Sequence, residues 1–320
     1  MSSPILIIGT LPKTAGIGGV TIHIERLIKW LEKESFDVDL CDYKATSLNK
    51  QVKQIAKHKI IHIHASHPIL RLFYVAISML FGKKSILTVH GDLGRFSAIK
   101  NWIDKLAVSL CTVPIVINDK SFEKAKKWNK QTRLMSAFIP PYEDGFVPTC
   151  YLQQIAELKE DGKTLYCTNA SARSFTNKGE EIYGIDFLIH YFSDYANDSI
   201  LIVSDPSKDY IKHYNKPFKN VIFISEIHSF FAVLKNADVM IRATATDGDA
   251  ISIKEALYLK KPTIATNRVP RPKEVILFEY NNSKSFSKAL EQAKIKTYNS
   301  DFTEATVTGI KNLYTSLLTK

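Results

Sequence analysis

Short apolar runs alternate with longer amphipathic stretches along the whole chain. Residues 5–9, 38–41, 60–65, 85–90 and 115–118 are runs rich in Ile, Leu and Val, of the length that buried strands take. Between them, 21–34 places Ile22, Ile24, Leu27, Ile28 and Leu31 at helical spacing, and 70–81 and 99–110 read as further helices. Ser121 stands where the N-cap of a helix running toward Trp128 is expected. The segment 137–148 breaks the pattern, because Pro140, Pro141 and Gly145 make a stiff, non-helical connector. A second series follows, with strands at 164–169, 199–203, 221–224, 239–242, 263–266 and 275–278 and helices at 184–195, 229–236, 251–259, 283–295 and 302–318. Strand and helix in strict alternation predict parallel sheets covered on both faces. The fold class expected is α/β, with two doubly wound Rossmann-like domains facing a central cleft. The boundaries read as 1–140 and 141–305, with 306–320 a C-terminal helix packing back on the N-terminal domain.

Composition changes this picture little. Of 320 residues 45% are hydrophobic and 23% charged, ordinary values for globular cores. The first apolar run is too short for a signal peptide and has no basic leader. The longest apolar candidate, 72–81, falls well short of the roughly 20 residues a membrane span needs. Cys41, Cys111, Cys150 and Cys167 are scattered with no Cys-x-x-Cys pair, which fits a reduced cytoplasmic setting and indicates neither a zinc framework nor disulfides.

Charge is more informative. Residues 51–140 hold 15 Lys and Arg against four Asp and Glu, an excess equal to the +11 of the entire chain. So concentrated a positive field attracts an anionic partner such as a membrane surface or a lipid-linked pyrophosphate. The apolar helix 72–81, followed by Lys83 and Lys84, reads either as a core helix or as one that docks on a bilayer. No aromatic-basic motif of the RNA-binding kinds accompanies the charge, so nucleic acid is not the expected partner.

Four groups carry candidate chemistry. Gly16, Gly18 and Gly19 follow the first strand and precede the first helix, where glycines let a backbone approach a ligand and a helix start favours an anion. Their spacing is not that of the dinucleotide fingerprint. His90, Gly91 and Asp92 end the strand 85–90, and His90 is placed to hydrogen-bond a sugar hydroxyl. His62 and His64, two apart on one strand face, lack a third ligand for a metal and read as packing. Arg173 and Lys178 follow the first strand of the second half; a guanidinium fork and an ammonium there neutralise a departing diphosphate without a metal. Finally, Asp247 and Glu255 bracket a turn of small residues, Asp247 in the loop and Glu255 about two turns into the helix. Amides of Gly248, Ala250, Ile251 and Ser252 lie between them to receive phosphate. Asp247-Gly248-Asp249 is also a literal Asp-x-Asp, but its late position argues against a metal, and none is expected.

Taken together, these residues resemble the retaining GT-B glycosyltransferases of the large family 4. The resemblance runs over nearly the whole chain and is strongest from Leu165 to Glu279. It rests on Gly18-Gly19-Val20, Leu87-Thr88-Val89-His90-Gly91, Arg173 with Lys178-Gly179, and Asp247-x7-Glu255 followed by Ala256-Leu257 and Lys261-Pro262-Thr263-Ile264-Ala265. It implies GT-B architecture and a metal-independent hexosyltransferase, with no cofactor beyond a UDP- or GDP-sugar donor. Arg173 and Lys178 then hold the donor diphosphate, Glu255 the ribose, Asp247 the donor sugar, and His90 reaches the transferred sugar from the first domain. The departing phosphate accepts the acceptor's proton. The chain departs from the family in three places. Asp247 stands for a Glu, Gly248-Asp249-Ala250 for Gly-Phe-Gly, and Arg268-Val269-Pro270-Arg271-Pro272 for a Gly-Gly. The acceptor expected is a sugar or lipid-linked oligosaccharide of bacterial cell-surface polysaccharide synthesis, met in the cytoplasm at the inner face of the membrane. A nucleotide-sugar epimerase of the same fold and a non-catalytic sugar-nucleotide-binding protein stay open as alternatives.

Overall fold

The computed structural model describes residues 4–15, 18–195, 198–247, 250–295 and 305–319. The chain forms two compact units, one of Met1–Tyr142 with Thr303–Lys320 and one of Glu143–Phe302. The first is built on a sheet of β1 (Ile5–Gly9), β2 (Val38–Asp42), β3 (Ile60–Ile63), β4 (Lys84–Val89), β5 (Val113–Val116) and β6 (Arg133–Leu134), in the order β2-β1-β3-β4-β5-β6. All its pairings are parallel. Leu6, Ile8, Ile61, Ile63, Leu87, Val89 and Val116 face one core, and Ile5, Ile7, Ile60, Ile86, Val113 and Ile115 face another. Burial on both faces is why these strands read as unbroken apolar runs rather than as alternation. The last helix, Ala305–Leu318, lies in this unit: Val307, Ile310, Tyr314 and Leu317 pack beside Ile5 and Ile7. The Tyr314 hydroxyl is hydrogen-bonded to Nδ1 of buried His62 at 2.5 Å, and Nε2 of that ring meets the Thr88 hydroxyl at 2.8 Å.

The second unit repeats the plan with β7 (Thr164–Asn169), β8 (Ser199–Ser204), β9 (Val221–Ile224), β10 (Val239–Arg242), β11 (Thr263–Thr266) and β12 (Ile276–Phe278), in the order β12-β11-β10-β7-β8-β9. Its pairings too are parallel. Tyr166, Leu201, Val203, Val239, Ile241 and Ile264 face one core, and Leu165, Cys167, Ile200, Ile202 and Met240 the other. From β7 the chain winds outward through β8 and β9, then returns to lay β10 against the opposite side of β7. The direction of winding therefore reverses between β7 and β10, and in the first sheet between β1 and β3. At such reversals the loops leaving the two strands diverge to opposite faces, and the gap between them at the strands' carboxyl ends admits a ligand.

Several local readings need correction. The strand expected at 115–118 runs Val113–Val116 and contains Pro114. It tolerates that proline because β6 pairs only with Ile115 and Val116, so no neighbour on that side needs an amide from Pro114. The following helix, Asp119–Trp128, is capped by Asn118, whose side chain accepts from the Ser121 amide at 2.9 Å. Ser121 itself is buried, and its hydroxyl accepts from the Leu93 amide at 3.1 Å. Helices at Pro12–Ala15, Leu48–Lys57, Thr149–Glu160 and Asp209–Tyr214 were not expected. Of Leu48–Lys57 only Gln51 and Ile55 are buried, and Thr149–Glu160 buries only Ile155, so each offers a short and mostly polar helical stripe.

Candidate functional site

In the second unit the functional residues gather at the reversal between β7 and β10. The loop after β7 carries Arg173 and Lys178; the loop after β10 carries Asp247 and leads into the helix Ile251–Tyr258. The two loops touch. The Ala245 amide donates to the Ile182 carbonyl at 2.8 Å. Gly184 has φ +63, and a Cβ built on it lies 2.1 Å from the Ala243 carbonyl oxygen, so no other residue fits there. Arg242, the last residue of β10, donates to the carbonyl and side-chain oxygens of Asn169, the last residue of β7, at 3.0 and 3.2 Å.

Arg173 is held by Asp186, with its Nη2 2.8 Å from the carboxylate, and its guanidinium lies over the Phe175 ring at 4.8 Å. Its Nε is buried without a partner among the described residues. The hydrogen bond to Asp186 raises its pKa against the opposing effect of burial, so the cation is permanent. Asp186 also accepts from the Tyr214 hydroxyl at 2.9 Å. It opens the helix Ile185–Tyr195, whose first amides donate to Glu181. Lys178 is exposed and borders a cavity of about 630 Å³, lined also by Phe175, Glu181, Asp186, Phe187 and Tyr280. Arg173, Asp247 and Glu255 do not line that cavity, so it adjoins the β7/β10 gap rather than filling it.

Asp247, which the resemblance sets against the donor sugar, is held by two arginines. Arg242 Nε and Arg271 Nη1 approach the same oxygen at 3.0 and 3.1 Å, and Thr244 donates to it at 3.4 Å. Arg271 Nη2 also donates to the Thr244 hydroxyl at 2.8 Å. Burial pushes the Asp247 carboxyl pKa up, but Arg242 and then Arg271 more than cancel this and hold it below the usual range. Two buried guanidiniums on one carboxylate leave an excess positive charge facing the gap. Sequence reasoning missed both arginines as site residues. Arg242 had a signal, a charged residue ending a buried strand at its carboxyl end. Arg271 had only its departure from the family pattern.

The helix Ile251–Tyr258 begins at Ala250, which brings no side-chain oxygen to its first turn. Among the described residues no side chain caps the amides of Ile251 and Ser252, as an anion site requires. Ser252 and Glu255 are buried. Glu255 is the fifth residue of the helix, just over one turn in rather than two. Gly248, Asp249 and Gly16 lie outside the described residues.

The first unit has its own group at the β1/β3 reversal. Gly18 is the N-cap of the helix Gly19–Lys33, extended at φ −161, with nothing within 4 Å of a Cβ placed on it. His90 follows β4, half-buried, its Nε2 2.9 Å from Nδ1 of His64. His23, from the helix Gly19–Lys33, packs its ring 4.7 Å from that of His90. Burial lowers all three histidine pKa values, His23 to about 4 and His64 and His90 well below the usual value. At neutral pH His90 is therefore an uncharged hydrogen-bonding group, not a cation. His64, which in the sequence had only His62 beside it, keeps that ring at 4.2 Å and gains His23 and His90 from other elements. Asp92 pairs with Asn118 at 3.0 Å.

Residues 155–294 match the family described as glycosyl transferases, group 1. The whole chain shares its fold with solved structures of low sequence identity. HepE of Anabaena, solved in complex with UDP, superposes with a TM-score of 0.66 at 13% identity, covering 100% of this chain and 97% of that one. Sucrose-phosphate synthase from Thermosynechococcus elongatus gives 0.64 at 15%, covering 99% of each. UDP-GlcNAc 2-epimerase from Methanocaldococcus jannaschii gives 0.62 at 13%, covering 98% and 99%. No curated protein matches the chain by sequence. The second unit thus carries the group 1 glycosyl transferase signature, and the chain has the GT-B fold.

Proposed function

We propose that this chain is a retaining glycosyltransferase that moves a sugar from a UDP- or GDP-sugar to an acceptor hydroxyl. One observation carries the reading. The Arg173–Lys178 loop and the start of the helix Ile251–Tyr258 leave adjacent strands at the winding reversal of the second sheet, inside the segment that matches the group 1 family. A guanidinium with an unpartnered Nε, an exposed ammonium and helix-start amides without a side-chain cap among the described residues, carried on these two neighbouring loops, support the binding of a diphosphate. HepE binds UDP and UDP-glucose, which favours a uridine donor.

In this reading the amides of Ala250, Ile251 and Ser252, with Gly248, hold a phosphate oxygen, and Glu255 takes the ribose hydroxyls. The bond from the anomeric carbon to the diphosphate oxygen breaks while the acceptor oxygen bonds to that carbon on the same face. The acceptor's proton passes to the departing phosphate oxygen. Charge on the leaving diphosphate grows as the bond breaks, so the cations Arg173 and Lys178 bind the transition state more tightly than the ground state. Arg242 and Arg271 fix Asp247 so that only its remaining lone pairs are offered to the donor sugar. Gly18 and Gly19 leave the backbone open to the donor, and neutral His90 hydrogen-bonds a sugar hydroxyl. No protein nucleophile and no metal takes part.

The test is to incubate the protein with UDP-, GDP- and ADP-sugars, with and without glycan acceptors, and to follow nucleotide release and sugar stereochemistry. Acceptor-dependent release with a retained anomer is the expected result. A sugar epimerised with donor alone establishes the epimerase instead. Nucleotide bound but never consumed in any combination establishes a sensor.

The acceptor we propose is lipid-linked and met at the inner membrane face. The adjacent helices Pro68–Leu80 and Ala98–Leu110 expose Ile69, Leu80, Ile99 and Trp102 within the basic segment, beside Lys83 and Lys100. Among the described residues no helix is long and apolar enough to cross a membrane. Sedimentation with vesicles should therefore recover more protein with anionic than with neutral lipid, the difference shrinking as salt is raised. Equal recovery removes the membrane from the proposal.

A further inference from the structure

Three histidines from three elements converge in the first unit. His23 lies on the helix Gly19–Lys33, His64 just past β3 and His90 just past β4, each with a ring nitrogen within 4.8 Å of the others. His23 and His64 are 2% and 1% exposed. Yet His23 Nε2 and His64 Nε2 are buried with no hydrogen-bond partner among the described residues. A buried polar atom left so costs about 1–3 kcal/mol, and two on neighbouring rings of one cluster call for a ligand.

The chemistry of the orphans is set by what the other nitrogens do. His23 Nδ1 lies 2.7 Å from the Ala137 carbonyl oxygen. A carbonyl only accepts, so Nδ1 carries the proton and Nε2 is a bare lone pair. A backbone carbonyl on the far nitrogen is the arrangement that orients histidines which bind metals. When His64 Nδ1 donates to His90 Nε2 at 2.9 Å, His64 Nε2 is likewise a bare lone pair.

We propose that His23, His64 and His90 form a site for a divalent transition ion, zinc by preference, with three imidazole ligands and the fourth position left to water on the half-exposed side of His90. The donor set decides the ion: three nitrogens without a carboxylate suit zinc, copper or nickel and repel magnesium and calcium. Zinc–nitrogen bonds of 2.0–2.1 Å place tetrahedral ligands about 3.4 Å apart. The rings must draw together from their present spread, and the His64–His90 hydrogen bond gives way as they do. The nearby Arg71 is neutralised by Asp104 at 2.7 and 2.9 Å and does not bar a dication. An ion there takes His90 away from the sugar and makes zinc an inhibitor of transfer. This consequence rests on the proposed role of His90, whereas the binding does not.

The experiment uses the full chain stripped with chelator, without donor, titrated with zinc by calorimetry and with cobalt by visible absorption. One equivalent of zinc and the intense bands of four-coordinate cobalt are expected. His23→Gln, His64→Gln and His90→Ala should each weaken binding about 100-fold or more, while His213→Gln, at an exposed position in the second unit, leaves it unchanged. Circular dichroism accompanies each variant, and half-exposed His90→Ala is the deciding one should a buried replacement not fold. Absence of zinc binding, or binding that survives His90→Ala in full, overturns the site without touching the glycosyltransferase reading. Donor turnover that rises when zinc is stripped supports the inhibitory consequence, and turnover lost in metal-free protein overturns that consequence together with the metal-free reaction.

Discussion

Replacing Arg173 with alanine should lower turnover about 10²-fold or more while the protein stays folded. Removing one preorganised donor from a developing negative charge has effects of that order. The stability cost is small because the Arg173–Asp186 pair lies near the surface, at 21% and 25% side-chain exposure, where such pairs contribute at most about 1 kcal/mol. Asp186 also keeps the Tyr214 hydroxyl. Arg173→Lys retains a charge but not the fork, so it should recover only part of the rate. The measurement is steady-state kcat with nucleotide affinity alongside. A kcat unchanged in Arg173→Ala would remove the diphosphate role and with it the central chemical assignment.

Acidification from pH 7 to pH 5 should strongly destabilise the first unit. Burial lowers the His23 pKa to about 4, against a smaller opposing effect of the Ala137 carbonyl, and lowers His62 to about 3. An unfolded histidine titrates near 6.5. Between that value and the folded ones the unfolded chain binds more protons, so stability is complete above about 6.5 and is lost as pH falls. At pH 5 each of these two rings accounts for about 2 kcal/mol, at about 1.4 kcal/mol per pH unit. His64 and His90, also lowered by burial, act in the same direction. Against a typical domain stability of about 5–15 kcal/mol that is a large fraction. Trp30, Trp102 and Trp128 are the three tryptophans of the chain and all belong to this unit, so their fluorescence isolates it from the other. Urea midpoints at pH 7.5 and pH 5.0, in chelator, provide the comparison. Equal midpoints would mean that the rings are not held neutral in the fold.

Legibility followed burial. The strands of both sheets are covered on both faces and wrote continuous apolar runs, so residues 5–9, 164–169, 221–224, 239–242 and 263–266 read as strands with the boundaries the fold shows. Leu48–Lys57 carries Leu48, Val52 and Ile55 at helical spacing, a short signal hidden among its polar residues, and the six-residue Asp209–Tyr214 is too short to write one. A helix lying on the surface needs few apolar positions, so pattern alone does not reveal it.

The sites divide in the same way. The placement of Arg173 and Lys178 after β7, of Asp247 after β10 and of Glu255 in the following helix was legible because spacing along one chain sets which loop leaves which strand. Their order follows from local sequence, as do the helix start at Ala250 and the parallel winding of each unit. What they touch does not. Arg242 reaches Asp247 from only five residues away, but Arg271 comes from a loop after β11, and the three convergent histidines from a helix and two strand ends, separated by dozens of residues. Such contacts depend on which strands lie side by side, and the return of β10 to β7 and of β3 to β1 brings distant residues within hydrogen-bond reach. The amino-acid sequence by itself determined the elements, their alternation and the residue types at their carboxyl ends. Tertiary structure alone decided which charges are already paired and which ring nitrogens are left bare, because burial and partner geometry are properties of packing and not of spacing along the chain.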